Sequence, residues 1–304
     1  MRYILILFLL SFHLFAHEPI QPIPKKVPYN KAKAELGKLL FFDPILSKDR
    51  TVSCASCHDP DHGGADPRPV SIGVGGRKGS VNSPTVFNAY FNFRQFWNGR
   101  AKDLKEQALG PIHAKNEMAM TKELVEERMN KSKMYKELFK KVYGTDRITF
   151  DMVIDAIAEF EKALYTPDSK FDRYLRGEVQ LSPKEKKGYV LFKELGCITC
   201  HNGINIGGNS FQKMGLIHSY TQHSGTDLYA ITKRAEDQGV YKVPTLRNIA
   251  LTAPYFHDGS AKTLEEAIDT MSYYNLGFKL TKDEKEALIA FLKTLTGKKP
   301  EILQ

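Results

Sequence analysis

The chain has 304 residues, 42% of them hydrophobic and 26% charged, with 22 glycines and 15 prolines. This ordinary globular composition excludes a fibrous repeat or a disordered polymer and leaves room for two modest domains. Lysine and arginine number 44 against 35 acidic residues, a formal net charge of +9, which suits an acidic protein surface or anionic headgroups as partner, or simply a lysine-rich solvated surface.

The first sixteen residues stand apart. Met1-Arg2 is a short positive start, Tyr3 to Phe15 is almost wholly apolar, and Ala16 ends the run on a small residue before His17-Glu18-Pro19, the pattern of a secretory signal peptide over residues 1–16. Its apolar core is shorter than the roughly 20 residues of a spanning helix, so cleavage and a periplasmic location are expected, with an uncleaved anchor as the alternative. No later stretch reads as a span, and export removes nucleic acid from the expected partners.

An amphipathic helix is predicted from an Asn30 cap, with Gly37, Leu40 and Phe41 forming G-x-x-L-F. Soon after comes Cys54-Ala55-Ser56-Cys57-His58, and much later a helix carrying Ile157, Phe160, Lys162 and Leu164 at three- and four-residue spacing. The polar stretch Thr166 to Leu181, with Pro167 and Gly177, reads as a join. The order then repeats. Ser182, Pro183 and Glu185 give a full helix start, Gly188, Leu191 and Phe192 restore G-x-x-L-F, and Cys197-Ile198-Thr199-Cys200-His201 follows. A closing helix starts at Thr281 with Glu284 three residues on, carries Leu288, Phe291, Lys293 and Leu295, and ends at Gly297. Helix, cysteine motif, loops and closing helix make one unit used twice: residues 17–166 and 182–304 around a linker at 167–181, all-α, with weak strand signals throughout.

All four cysteines fall in the two C-x-x-C-H runs. This is the attachment signature of haem c: two thiols reach one porphyrin edge and the next residue turns its imidazole beneath the iron. A disulfide, a thioredoxin-like pair or one shared zinc would each use the cysteines, but none explains a histidine after both pairs, and far more residues separate the pairs than zinc sites use. Two covalent haems in two tandem cytochrome c domains follow. A haem that only passes electrons needs a sixth ligand, whereas one that does chemistry needs an open position. In the second unit Met271 lies where cytochromes c commonly supply an axial methionine; Met214 is its rival, and core packing is the ordinary use of either. In the first unit Met118, Met120, Met129, Met134, Met152, His62 and His113 are available, and spacing selects none of them.

Further motifs carry a family resemblance: Asn82-Ser83-Pro84-Thr85-Val86-Phe87-Asn88, Gln95-Phe96-Trp97-Asn98-Gly99-Arg100-Ala101, Gln107 with Gly110-Pro111 leading to Glu117-Met118, Val243-Pro244-Thr245-Leu246-Arg247-Asn248, and Thr252-Ala253-Pro254-Tyr255-Phe256-His257-Asp258-Gly259. From about Lys31 to Gly297 the chain resembles the bacterial dihaem cytochrome c peroxidases, a family that includes MauG-type enzymes. The resemblance implies that His58 ligates a low-potential peroxidatic haem and that His201 with Met271 ligates a high-potential haem. It implies Glu117 as distal acid-base residue with Gln107 beside it, and Trp97 as a bridge for electrons. It also implies an interdomain calcium held by Asn82 and the carbonyls of Thr252 and Pro254, and a homodimer fed by a small donor such as a monohaem cytochrome c or cupredoxin. By residue chemistry alone Glu117 reads as a surface carboxylate and Trp97 as core, although a positioned carboxyl is what moves a proton between the two oxygens of hydrogen peroxide and a neutral amide is what holds them without adding charge.

One position departs from the family pattern. Several relatives carry a capping histidine in the loop after the first motif, and Val74, within Ser71-Ile72-Gly73-Val74-Gly75-Gly76, stands in its place. Valine cannot ligate iron, so the first haem is expected to be open or water-held in the resting oxidised enzyme, with His62 as the rival ligand. The expected function is peroxide reduction. The alternatives are a dihaem electron carrier without turnover, and a MauG-like oxidase, which would use a tyrosine on the second haem; Tyr273 and Tyr274 lie near Met271.

Overall fold

The computed structural model describes residues 18–221 and 225–304; the signal peptide expected at 1–16 lies outside the described residues. Helices begin where a side-chain oxygen satisfies the first free amides. Asn30 caps α1 (Lys31–Phe42) and Asp103 caps α2 (Leu104–His113). Thr121 caps α3 (Lys122–Lys131), Ser132 α4 (Lys133–Tyr143) and Thr149 α5 (Phe150–Lys162). A short α6 (Lys170–Leu175) precedes α7 (Pro183–Glu194), whose Ser182 and Glu185 form the expected capping box. The strands β1 (Phe211–Lys213) and β2 (Val240–Lys242) pair antiparallel with Phe211 opposite Lys242, and the single turn α8 (Tyr229–Thr232) lies between them. The chain then forms α9 (Leu264–Met271), a π-helical turn over Ser272–Leu276, and α10 (Lys282–Lys293), with Thr281 and Glu284 as a capping box. Among the described residues the regular secondary structure is helical apart from this one small ribbon and isolated bridges, and long irregular loops join the helices.

The repeated G-x-x-L-F marks a helix crossing. A Cβ on Gly37 would sit 1.9 Å from the Ala156 carbonyl oxygen, and one on Gly188 1.9 Å from that of Ala287, so only glycine lets α1 approach α5, and α7 approach α10, this closely. Beside each crossing the phenylalanines meet: Phe41 with Phe160 and Phe192 with Phe291, both at ring-centroid distances of 5.1 Å. The loops repeat in the same register. Asn88 and Asn248 take φ of 62° and 60°, Gly99 and Gly259 take 68° and 63°, and the bridge from Gln95 to Ala101 recurs from Tyr255 to Ala261. Positions Leu104 and Leu264 then open α2 and α9.

The halves are laced by their tails. Ile20 is buried in the core of the second half, where Pro19 accepts a hydrogen bond from the Gly203 amide, although sequence assigns residues 17–23 to the first unit. Ile302 packs in the first half beside Phe41, and the Lys38 ammonium donates to its carbonyl. The segment read as a polar linker contributes buried Phe171 and Asp172; Asp172 accepts from fully buried Arg247 at 2.5 Å and from the Ile23 amide. Burying both charges is tolerable because each is paired and hydrogen-bonded, and removing either one would strand the other at a cost of about 3–5 kcal/mol.

Candidate active site

Each C-x-x-C-H run forms the wall of its own cavity. The first, about 630 Å³ of open space with its mouth, is lined by Cys54, Cys57, His58, Gln107, Pro111, Glu117, Met118 and Glu161 among others. The second, about 2050 Å³ counted the same way, is lined by Cys197, Cys200, His201, Met214 and Met271, together with Asn82, Pro84 and Trp97 from the first half of the chain. The four thiols are free. Burial pushes Cys54 up to about 12 and Cys197 to about 11, the reverse of the lowered thiol pKa of a thioredoxin-like pair. The two cysteine pairs line different cavities and so do not close around one zinc.

The residues suit haem c in each cavity. His58 Nδ1 lies 3.1 Å from the Pro84 carbonyl and His201 Nδ1 3.4 Å from that of Ile206. A carbonyl only accepts, so Nδ1 carries the proton and Nε2 keeps its lone pair for iron, the outer-shell arrangement that orients a histidine ligand. Burial lowers both imidazoles, His201 to about 4, which keeps them neutral as ligands must be.

The repeat matches the two walls residue against residue. Counting from Leu104 and Leu264, and from Phe160 and Phe291, the pairs are Gln107 with Ala267, Ala108 with Ile268, Pro111 with Met271, Ile112 with Ser272, Ile157 with Leu288, and Glu161 with Leu292; every member lines its cavity. Where the second wall offers a thioether and apolar groups, the first has an amide, a proline with no ligating atom, and a carboxyl. The Pro111 correspondence escaped sequence reading, although the runs Trp97-Asn98-Gly99-Arg100-Ala101 and His257-Asp258-Gly259-Ser260-Ala261 carry the register that reveals it.

Glu117 lies in the turn after α2, where its amide donates to the Ala114 carbonyl. Burial raises its carboxyl, opposed by the charge of Arg100. Val74 does not reach the cavity: its buried side chain packs in the loop while its amide donates to the Glu117 carbonyl at 2.8 Å. Gly73 beside it has no room for a Cβ, which would stand 2.2 Å from the Asn116 oxygen. His62 points the other way, with Nε2 2.6 Å from the Ala253 carbonyl, and His113 Nδ1 is engaged by the Met120 carbonyl. Met120 and Met129 are core, Met152 packs against that core, and Met134 is exposed. Met118 is the one sulfur besides the cysteines on the first wall.

Trp97 stands where the halves meet. Its Nε1 donates to the Asn82 carbonyl at 2.9 Å and its ring meets His257 edge-on at 6.2 Å. Backbone bonds cross in a symmetric pair, Asn82 N–H to the His257 carbonyl and Lys242 N–H to the Trp97 carbonyl. Asn82, Thr252 and Pro254 share the second wall. Asn82 Nδ2 donates to the Asp66 and Arg68 carbonyls, which leaves Oδ1, a neutral hard oxygen of the kind calcium accepts, as the acceptor end of the amide. Tyr273 stacks on His218 and Tyr274 packs edge-on to Tyr220; neither lines the second cavity.

Known proteins resemble this chain along most of its length. Residues 31–180 match the family model described as di-haem cytochrome c peroxidase, and residues 185–296 that of cytochrome c. The chain is 51% identical to the cytochrome c551 peroxidase of Nitrosomonas europaea, covering 94% of this chain and 86% of that one. It is 43% identical to the cytochrome c551 peroxidase of Pseudomonas aeruginosa over 96% and 88% of the two chains. A solved structure described as a MauG-like protein associated with microbial copper homeostasis superposes with a TM-score of 0.82 at 32% identity, covering 94% and 95%. A chain 51% and 43% identical to two cytochrome c551 peroxidases over nearly its whole length, with both of its C-x-x-C-H runs inside the matched segments, belongs to the di-haem cytochrome c peroxidase family.

Proposed function

We propose that the enzyme reduces hydrogen peroxide at the first cavity with electrons that enter at the second. The observation that carries this reading is the set of matched wall positions, above all Pro111 against Met271 and Gln107 against Ala267. Bound haem would supply an electron store at the second site, where a soft thioether favours reduced iron, and an accessible iron at the first.

The chain's own residues do the rest. The Glu117 carboxyl takes the proton from one peroxide oxygen and returns it to the other, so that the O–O bond breaks with water leaving; two electrons and two further protons make two waters in all. Its raised pKa brings both proton states closer to neutral pH, which is where a group that both takes and gives a proton works best. Gln107 holds peroxide or water by hydrogen bonds without adding charge. Val74, Pro111 and the turned-away His62 leave the first site without an imidazole cap, so turnover needs no prior reduction. Trp97 and Pro84, the latter bonded to His58, sit on the wall of the second cavity and join the two sites.

The mouth of the second cavity suits a donor. Exposed Leu216 and Lys213 edge it, with Ile217 and Tyr273 alongside, an apolar patch on a basic protein such as a small acidic redox protein would cover. Calcium at Asn82, Thr252 and Pro254 would tie the halves together. The signal peptide expected at residues 1–16 supports a periplasmic location. The deciding experiment is steady-state peroxide turnover by the exported dihaem protein with and without prior half-reduction. Equal rates are expected; a pure electron carrier would sustain neither, and a rate seen only after reduction would overturn the uncapped first site.

A further inference from the structure

Glu161 has no part in the scheme above, yet it lies in the first cavity. It sits in the last turn of α5 with 5% of its surface exposed, and its Oε2 is the one buried side-chain oxygen or nitrogen among the described residues without a hydrogen-bond partner. The acidic groups near it on the same helix are spent elsewhere: Asp155 on Lys33 and Lys105, Glu159 on Lys162. The titratable groups sharing its cavity are Cys54, Cys57, His58 and Glu117. None is cationic, because burial holds His58 neutral. Charged residues on α1, α2 and α3, which pack against α5, pair or project outward. Arg128 donates to the carbonyls of Ile45, Ser47 and Lys48, and Lys105 serves Asp155. The matched residue in the other cavity is Leu292, so the fold itself does not ask for a polar group at this point of the helix.

An unpaired carboxylate in such a place is costly, and the group meets that cost by holding a proton. Burial alone lifts it to about 8. We infer that Glu161 is a proton-loading site of the first haem pocket, taking up one proton from water when an electron arrives there and releasing it when the electron leaves. The sign follows from charge. Oxidised haem iron with a neutral histidine brings positive charge into the cavity and favours the Glu161 carboxylate; adding one electron removes that charge and favours the carboxylic acid. Electron and proton then enter together, the pocket's net charge is unchanged, and a proton waits inside the site that consumes protons with peroxide. The second pocket has Leu292 at the matched position and so lacks this carboxyl. The inference rests on the proposed haem occupancy.

The test uses the dihaem protein, titrating the potential of each haem against pH by optical spectroelectrochemistry and recording reduced-minus-oxidised infrared spectra. The first haem's potential should fall as pH rises through the neutral to mildly alkaline range, and reduction should produce a protonated-carboxyl C=O band. Glu161→Gln should flatten that fall and remove the band while leaving the second haem unchanged; Glu161→Leu, which copies the other wall, should do the same if the glutamine variant does not load haem. Glu117→Gln should keep the slope. An unchanged slope and band in both Glu161 variants would overturn the inference while leaving haem binding and peroxide turnover intact; absence of haem spectra in the wild type would instead overturn the reading it rests on.

Discussion

The two cavities differ in size but share a set of matched wall positions, at a few of which their side chains differ in chemistry. Both have a glycine-dependent helix crossing, a C-x-x-C-H wall, a histidine held through Nδ1 by a carbonyl, and a helix that opens on a leucine. What separates them is Pro111 for Met271, Gln107 for Ala267 and Glu161 for Leu292, with Glu117 added by the turn after α2. Under the proposed function, the duplicated scaffold would fix where each haem sits, while single side chains on the helices lining it would decide whether its iron is closed for electron storage or open for chemistry.

The sharpest way to break this contrast is to make the first wall like the second. Pro111→Met should place a thioether over the first iron, convert that haem to a low-spin six-coordinate form and nearly abolish peroxide turnover; a retained high-spin signal would show that register alone does not set ligation. Glu117→Gln should lower kcat by roughly 10²–10⁴-fold, the usual contribution of a positioned acid-base group, with both haems loaded and peroxide still bound. Trp97→Ala should slow electron passage between the haems more than Trp97→Phe does, without changing either haem's ligation, as read by stopped-flow reoxidation of the half-reduced enzyme. The shared scaffold supplies the smallest functional effect. Gly37→Ala and Gly188→Ala should each destabilise the fold by at least about 1–3 kcal/mol, as overpacking does, measurable by denaturant titration, with little change in turnover per folded molecule. A large effect in one half alone would show that the crossings are not equivalent.

What could be read from sequence followed how local each signal is. The caps at Asn30, Ser182 and Thr281 were legible because a cap needs only its own first turn, and the haem motifs were legible because attachment chemistry fixes their spacing. Glu117, Gln107 and Trp97 were visible only through family resemblance: nothing in a lone glutamate or tryptophan says which cavity it faces. Pro111 and Glu161 were missed because their meaning lies in the residues matched to them in the other half, which requires the register of α2 on α9 and of α5 on α10. The crossed tails were missed for a different reason, since Ile20 and Ile302 are single apolar residues with no periodicity to announce which core they enter. The linker's helix was hidden by its polar surroundings, with Phe171 as its only large apolar anchor deep in the core.

The difference between an open and a closed iron is most directly tested by the optical and electron-spin spectra of the exported, fully oxidised dihaem protein before any reductant is added. The account predicts one low-spin haem with histidine and methionine ligation and one high-spin haem that shifts on addition of peroxide. Two low-spin haems, with Met118 or another side chain closing the first site, would contradict it.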